Sequence, residues 1–325
     1  MALLEVSDLH VSFPTPDGVV QAVRGLSFAV ETGKTLGIVG ESGSGKSVST
    51  QTIMGLTRGA RVSGQALFEG IDLLAMSPKE LRSVRGAKVG MIFQDPLSSL
   101  HPYYRVGWQI IEMIRNNHHE ISKAKARERA VELLRLVGIP QPDRRVDDFP
   151  HQFSGGMRQR AMIAMALLFT PELVIMDEPT SALDVVAQRS LMIQIKELQD
   201  RLGFAVIFVT HDMSLVSHYS ARLAVMYGGQ IAEAARTSSL FEKPLHPYSV
   251  GLLDAFPSIH GPRRVLTGIP GSPPDLARPP AGCRFQPRCP KAMPECAIRQ
   301  PGLYSVGDSM VRCLLYEAAQ PGRPE

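Results

Sequence analysis

The residues with the clearest chemical capacity begin at Gly40. The run Gly40-Glu41-Ser42-Gly43-Ser44-Gly45-Lys46-Ser47 matches the pattern G-x-x-x-x-G-K-[ST]. Glycines at these positions let the backbone curl so that successive N–H groups point at phosphate oxygens. A helix that starts there turns its positive end toward the same anion. Lys46 then reaches the β and γ phosphates of a nucleotide, and the Ser47 hydroxyl coordinates Mg²⁺. The spacing alone does not separate kinases, GTPases, helicases and transport ATPases. A second acidic motif lies about 130 residues on, where the apolar run 173–176 (LVIM) ends in Asp177-Glu178-Pro179-Thr180. An acid at a strand tip suits a direct or indirect Mg²⁺ contact, which is the role read for Asp177. Glu178, one residue further, points to the other face and is placed to polarise an attacking water.

The elements needed to position these groups are visible in the hydrophobic pattern. The runs 35–39 (TLGIV), 89–93 (VGMIF), 173–176 and 205–209 (AVIFV) are short, β-rich and bounded by Gly, Asp, Thr or a charge, which predicts buried parallel strands. Residues 222–227 and 230–232 read as a hairpin about Gly228-Gly229. Between the strands lie helical stretches. In 187–202, Leu191, Ile195, Leu198 and Leu202 fall on one face. Residues 123–137 form a second helix, with Gly138 as its C-terminal stop. Alternating strands and helices predict a layered α/β fold. Composition changes near Lys243. Beyond it the chain is rich in Pro and Gly, which predicts a small, loop-rich extension with a core too thin to hold itself. The predicted division is therefore 1–242 and 243–325, with a helical subdomain at about 95–165.

Composition removes several classes of function. The chain has 325 residues, 44% of them hydrophobic and 20% charged, so a packed core is attainable. Its net charge, 35 − 31 = +4, is too small and dispersed to indicate nucleic acid. The longest apolar run, 161–169, is half of the ~18 residues needed to span a bilayer. Glu5 and Asp8 within the first ten residues do not read as a secretory leader. A cytosolic protein is expected, one able to dock on a membrane protein. All four cysteines, Cys283, Cys289, Cys296 and Cys313, lie in the extension with spacing C-x5-C-x6-C-x16-C. That arrangement reads as one local site rather than a disulfide framework, and it suits either an Fe–S cluster or Zn²⁺.

Further motifs carry a resemblance. Phe153-Ser154-Gly155-Gly156-Met157-Arg158-Gln159-Arg160 resembles the signature sequence of ATP-binding-cassette (ABC) ATPases and lies between the two nucleotide motifs, as in that family. Residues 177–184 resemble the family's Walker B motif followed by its D-loop, which ends at Asp184. Gln94 in Ile92-Phe93-Gln94-Asp95-Pro96 resembles the Q-loop glutamine, and His211 in Val209-Thr210-His211-Asp212 the switch histidine. The resemblance implies an ABC-type nucleotide-binding domain with a helical signature subdomain. It implies that Ser154, Gly155 and Gly156 cap the γ-phosphate of ATP bound by an opposing subunit. Gln94 becomes a Mg²⁺ or water ligand and a sensor of the membrane subunit, and His211 a γ-phosphate contact. Phe13 is the candidate adenine-stacking ring.

A narrower resemblance is to the ATPase subunits of dipeptide and oligopeptide importers, which include nickel-importing relatives. It rests on 93–102, where His101 replaces the usual Asn, and on His151-Gln152-Phe153 before the signature. It rests also on Leu245-His246-Pro247-Tyr248-Ser249 and on the cysteine-bearing tail, Gly282-Cys283 through Cys313. This implies an ATP-hydrolysing motor at the cytoplasmic face of a cell membrane, working with two permeases, a second related ATPase and an extracytoplasmic binding protein. It also favours a 4Fe–4S cluster over Zn²⁺ on the four cysteines. A nickel importer, and a soluble ABC ATPase without a transport role, are the alternative functions.

Overall fold

The structure, a computed structural model, describes residues 2–94, 99–181, 183–255 and 268–319. Its strands are β1 (Ala2–Thr15), β2 (Gly18–Glu31), β3 (Thr35–Val39), β4 (Arg61–Phe68), β5 (Ile71–Asp72), β6 (Val89–Ile92), β7 (Leu173–Asp177), β8 (Ala205–Thr210), β9 (Arg222–Tyr227), β10 (Gln230–Arg236), β11 (Tyr304–Val306) and β12 (Ser309–Val311). The chain divides into two compact units. One comprises Met1–Leu81 with Ile207–Glu325, the other Arg82–Val206, and the boundary falls within β8.

In the first unit, two sheets are built from different sequence patterns. β1 and β2 are long and alternate buried with exposed residues. They form an antiparallel hairpin across Pro16-Asp17, and β4 and β5 extend it in the order β2-β1-β4-β5. Leu4, Leu9, Val11 and Leu26 face inward with no exposure. The second sheet runs β11-β12-β10-β9-β3-β8. β3 is buried along its whole length and parallel to β9, pairing Leu36 with Arg222 and Val39 with Val225. Continuous apolar runs are what strands covered on both faces require, so the α/β reading of 35–39 and 205–209 holds. The hairpin β9–β10 also forms at Gly228-Gly229 and continues to Arg236.

The extension takes its support from this same unit. β12 pairs antiparallel with β10, opposing Val311 to Glu233 and Met310 to Ala234. Phe285 is 2% exposed and packs against Tyr227, Tyr248 and His246 at ring distances of 5.1, 5.4 and 5.7 Å. Burying one such ring is worth about 1.5–3 kcal/mol, a large share for so small a segment. The strands β11 and β12 are too short to carry a readable alternation, and sequence reasoning did not find them.

The second unit holds β6 and β7 side by side in parallel, with Val89 opposite Leu173 and Ile92 opposite Met176. Around them are helices Val106–Asn117, Lys123–Leu136, Gly155–Ala166 and Val185–Leu202. The helix Lys123–Leu136 starts at Ser122, whose Oγ accepts from Lys125 N, and stops where Gly138 takes φ +67°. Arg160, on the helix Gly155–Ala166, donates to the carbonyls of Val137 and Gly138 and to Ser190 Oγ. It ties three helices together.

Candidate nucleotide site

In the first unit, the loop 40–47 connects β3 to the helix Lys46–Ile53. Its tight path depends on two glycines. Gly45, at φ +96°, stands at the helix N-cap, and a Cβ there would meet Ala22 O at 2.4 Å. Gly40 would place a Cβ 2.1 Å from Met226 O. No side chain caps the helix at Gly45. An uncapped helix start bordered by bare backbone fits an anion. Ser44 is 4% exposed, and its Oγ is buried with no hydrogen-bond partner among the described residues. Such an orphaned donor also fits a phosphate oxygen. Lys46 is 4% exposed, and its Nζ donates to Gly40 O at 2.7 Å and to Glu41 O at 2.9 Å. The ammonium is therefore folded back over the loop carbonyls. His211 follows β8 and is exposed, while the next residue, Asp212, caps the helix Met213–Tyr219 through Ser214 N. Phe13 lies near the tip of the β1–β2 hairpin, half-buried and paired with Val20.

The second unit assembles Gln94, the acidic motif and the signature. Asp177 ends the buried strand β7 and is 2% exposed. Glu178 adopts φ +46°, a left-handed conformation that a non-glycine residue rarely takes. Its Oε2 accepts from Gln94 Nε2 at 3.0 Å. Its carbonyl accepts from Ser181 Oγ at 3.1 Å. Gln188 Nε2 donates to the carbonyls of Thr180 and Leu183 and holds the turn. Asp184 serves as N-cap of the helix Val185–Leu202, accepting from Ala187 N at 2.9 Å. Ser154 caps Gly155–Ala166 through Met157 N at 3.2 Å. A Cβ at Gly156 would meet nothing within 4 Å, so this helix start presents open backbone. Residues 95–98 of the predicted Q-loop segment lie outside the described residues.

Sequence reasoning missed the partners of the phosphate loop. Arg288 donates to the Glu41 carboxylate with both terminal nitrogens, at 2.7 and 3.0 Å. Tyr248 Oη accepts from Glu41 N at 2.9 Å. Both residues are more than 200 positions away in sequence, and only the HPY segment itself hinted at them.

The four cysteines read from the sequence as one local site all lie in the first unit. All four thiols are unpaired. Burial raises Cys283 and Cys289, and raises Cys313 to about 11, with neighbouring cysteines adding to the shift. The four therefore share one neighbourhood. Among the described residues, however, no three His, Cys, Asp or Glu side chains are arranged to hold a metal ion. The backbone fixes the spacing, with Cys283 N bonded to Cys296 O and Cys289 N to Gln286 O.

An α/β core with this phosphate loop, acidic strand and signature helix defines an ATP-binding-cassette ATPase. The comparisons agree. The family model "ABC transporter" matches residues 23–181, and "Oligopeptide/dipeptide transporter, C-terminal region" matches 232–296. The oligopeptide transport ATP-binding protein OppD of Bacillus subtilis is 50% identical over 311 residues, covering 94% of this chain and 87% of that relative. The dipeptide transport ATP-binding protein DppD of the same organism is 47% identical over 319 residues, covering 97% and 95%. The ATP-binding cassette MJ0796, solved as a dimer bound to ADP and Pi, superposes with a TM-score of 0.65 at 25% identity, covering 72% of this chain and 98% of that one. The chain belongs to the ABC transporter ATP-binding proteins, in the branch that carries the oligopeptide/dipeptide C-terminal region. Among the described residues, no helix is long and apolar enough to cross a membrane.

Proposed function

We propose that this chain is the ATP-hydrolysing motor of a membrane importer for di- or oligopeptides. The observation that carries it is the hydrogen bond from Gln94 to Glu178, because it joins the sensor position to the water-polarising position in one unit. Lys46 binds the β and γ phosphates, and the amides of Gly43, Ser44 and Gly45 cradle them. Gly40, Glu41 and Ser42 shape the loop. Ser47, Gln94 and Asp177 are the residues that would hold Mg²⁺, which when bound offsets phosphate charge. Glu178 accepts a proton from the attacking water, and His211 hydrogen-bonds the γ-phosphate. Phe13 stacks on adenine. Ser154, Gly155 and Gly156 face the nucleotide of a second ATPase subunit, with Asp184 beside them.

Peptide as cargo is supported by the relatives' names, oligopeptide and dipeptide transport ATP-binding proteins. The partners are two permeases, a second related ATPase and a binding protein outside the membrane, so the protein is peripheral on the cytoplasmic side. Exposed aromatic surface supports such docking. Tyr103 is 83% exposed, and Tyr104 stacks on Trp108 at 4.2 Å. The division into an ATPase domain, 1–242, and an extension, 243–325, follows the same reading. The extension's four cysteines are proposed to bind a 4Fe–4S cluster, with Zn²⁺ second, once drawn together. Support comes from the shared neighbourhood of their thiols. Iron and sulfide content of anaerobically purified protein tests that point, and absence of both rejects it. The central test is ATP turnover by the purified protein with and without its permeases in vesicles. Turnover that the permeases leave unchanged, with no peptide uptake, would overturn the transport reading.

A further inference from the structure

Glu41 poses an electrostatic problem. It places a carboxylate in a loop whose ligand carries several negative charges, and like charges at such range repel. The structure answers it from the far end of the chain. Arg288 is 7% exposed and forms a two-pronged ion pair with Glu41, at 2.7 and 3.0 Å. The guanidinium is itself fixed: Nε donates to Pro270 O at 2.8 Å, Nη2 to Ile269 O at 3.3 Å and Nη1 to Tyr227 Oη at 3.3 Å. Tyr248 is fully buried, and its hydroxyl accepts the Glu41 N–H. A second strut lies beside the first. Arg284, 4% exposed, donates to Gly228 O and to Gln21 Oε1. The adjoining Gly229 N donates to Ser44 O, inside the phosphate loop, at 2.9 Å. The segment between Cys283 and Cys289 thus braces the loop directly at the Glu41 side chain and, through Gly228 and Gly229, indirectly at the Ser44 carbonyl.

We infer that Arg288 is a positioning residue for nucleotide binding, neutralising Glu41 and fixing the loop conformation that receives the phosphates, with Tyr248 as its helper. This rests on the reading of 40–47 as the phosphate loop. The role differs from mere structural support because it contains a charge: Arg288→Ala leaves a bare carboxylate facing the incoming phosphates, and Glu41→Gln removes it.

The test titrates a fluorescent ATP analogue into the full-length protein and its variants, alongside steady-state ATP hydrolysis. Arg288→Ala is expected to raise Kd and KM by about tenfold, with kcat at saturating ATP changed far less. Adding Glu41→Gln to Arg288→Ala is expected to recover most of that loss, and Arg288→Lys, which keeps the charge, to lose less. A folded Arg288→Ala protein with wild-type Kd would overturn the inference. So would a double variant as weak as Arg288→Ala, because loss of support without charge would not be rescued. Should Arg288→Ala not fold, Arg288→Gln removes the charge while keeping a donor and most of the side-chain packing; an unchanged Kd there also overturns it. Lys46→Ala tests the underlying reading separately. If it leaves Kd unchanged, the loop assignment fails, whatever Arg288 does.

Discussion

Gln94 and Glu178 stand 84 residues apart in sequence and meet at 3.0 Å, amide nitrogen to carboxylate oxygen. The contact depends on the parallel pairing of β6 with β7, since Gln94 follows one strand and Glu178 the other. The donated hydrogen bond fixes the direction of the Glu178 carboxylate, the positioning a general base needs.

Replacing that base by its amide isolates the chemistry. Glu178→Gln is expected to lower kcat by roughly 10²–10⁴-fold while nucleotide affinity stays near wild type. Gln94→Ala should cost about tenfold, the scale of one hydrogen bond to a charged group. Rapid-quench hydrolysis together with equilibrium binding separates the two effects, and weakened binding in Glu178→Gln would contradict the assignment.

The signature helix predicts opposite effects on stability and activity. Open space surrounds Gly156, so Gly156→Ala fits without a clash. Replacing a helical glycine favours the helix by about 0.5–1 kcal/mol. Thermal melting should rise slightly or hold, while ATPase activity falls because backbone is no longer bare toward a neighbouring phosphate. Equal activity in both proteins would remove the signature from catalysis.

Acid stability should report on His246. Burial lowers its pKa from 6.5 to about 4, and its Nδ1 accepts from Tyr248 N at the start of the helix Pro247–Asp254. A folded pKa below the unfolded one means that protons favour unfolding. The neutral imidazole's contribution is whole above pH 6.5 and is lost as pH falls toward 4, by about 3 kcal/mol in total. Glu233 works in the other direction. Its carboxylate accepts from Leu245 N and His246 N at 2.9 Å, yet burial raises its pKa, so falling pH relieves a cost. His246→Asn keeps a capping acceptor without a titrating ring. Denaturant melts at pH 7 and pH 4.5 should show a smaller drop for His246→Asn than for wild type. An equal drop would assign the acid sensitivity elsewhere.

The aromatic surface gives a prediction for coupling. Tyr103→Ser should leave melting temperature and the turnover of the isolated protein within about twofold, because an exposed side chain contributes little to the fold. Stimulation of turnover by permease vesicles should fall. Full stimulation would place the docking surface elsewhere.

The sequence by itself determined what depends on neighbours along the chain. Buried strands at 35–39 and 173–176 follow from apolar runs, the loop 40–47 from its glycines, and the helix stop at Gly138 from the left-handed backbone a glycine takes readily. The tertiary structure alone decided which distant groups meet. Nothing near Glu41 marks Arg288 or Tyr248 as its partners, and nothing near Arg160 marks the carbonyls of Val137 and Gly138. Those pairings arise because a buried charge or a helix end must be satisfied by whatever the packing brings within reach. The same holds for the cysteines. Their spacing indicates a local cluster, and the fold brings the four thiols into one neighbourhood, with Cys283 N bonded to Cys296 O.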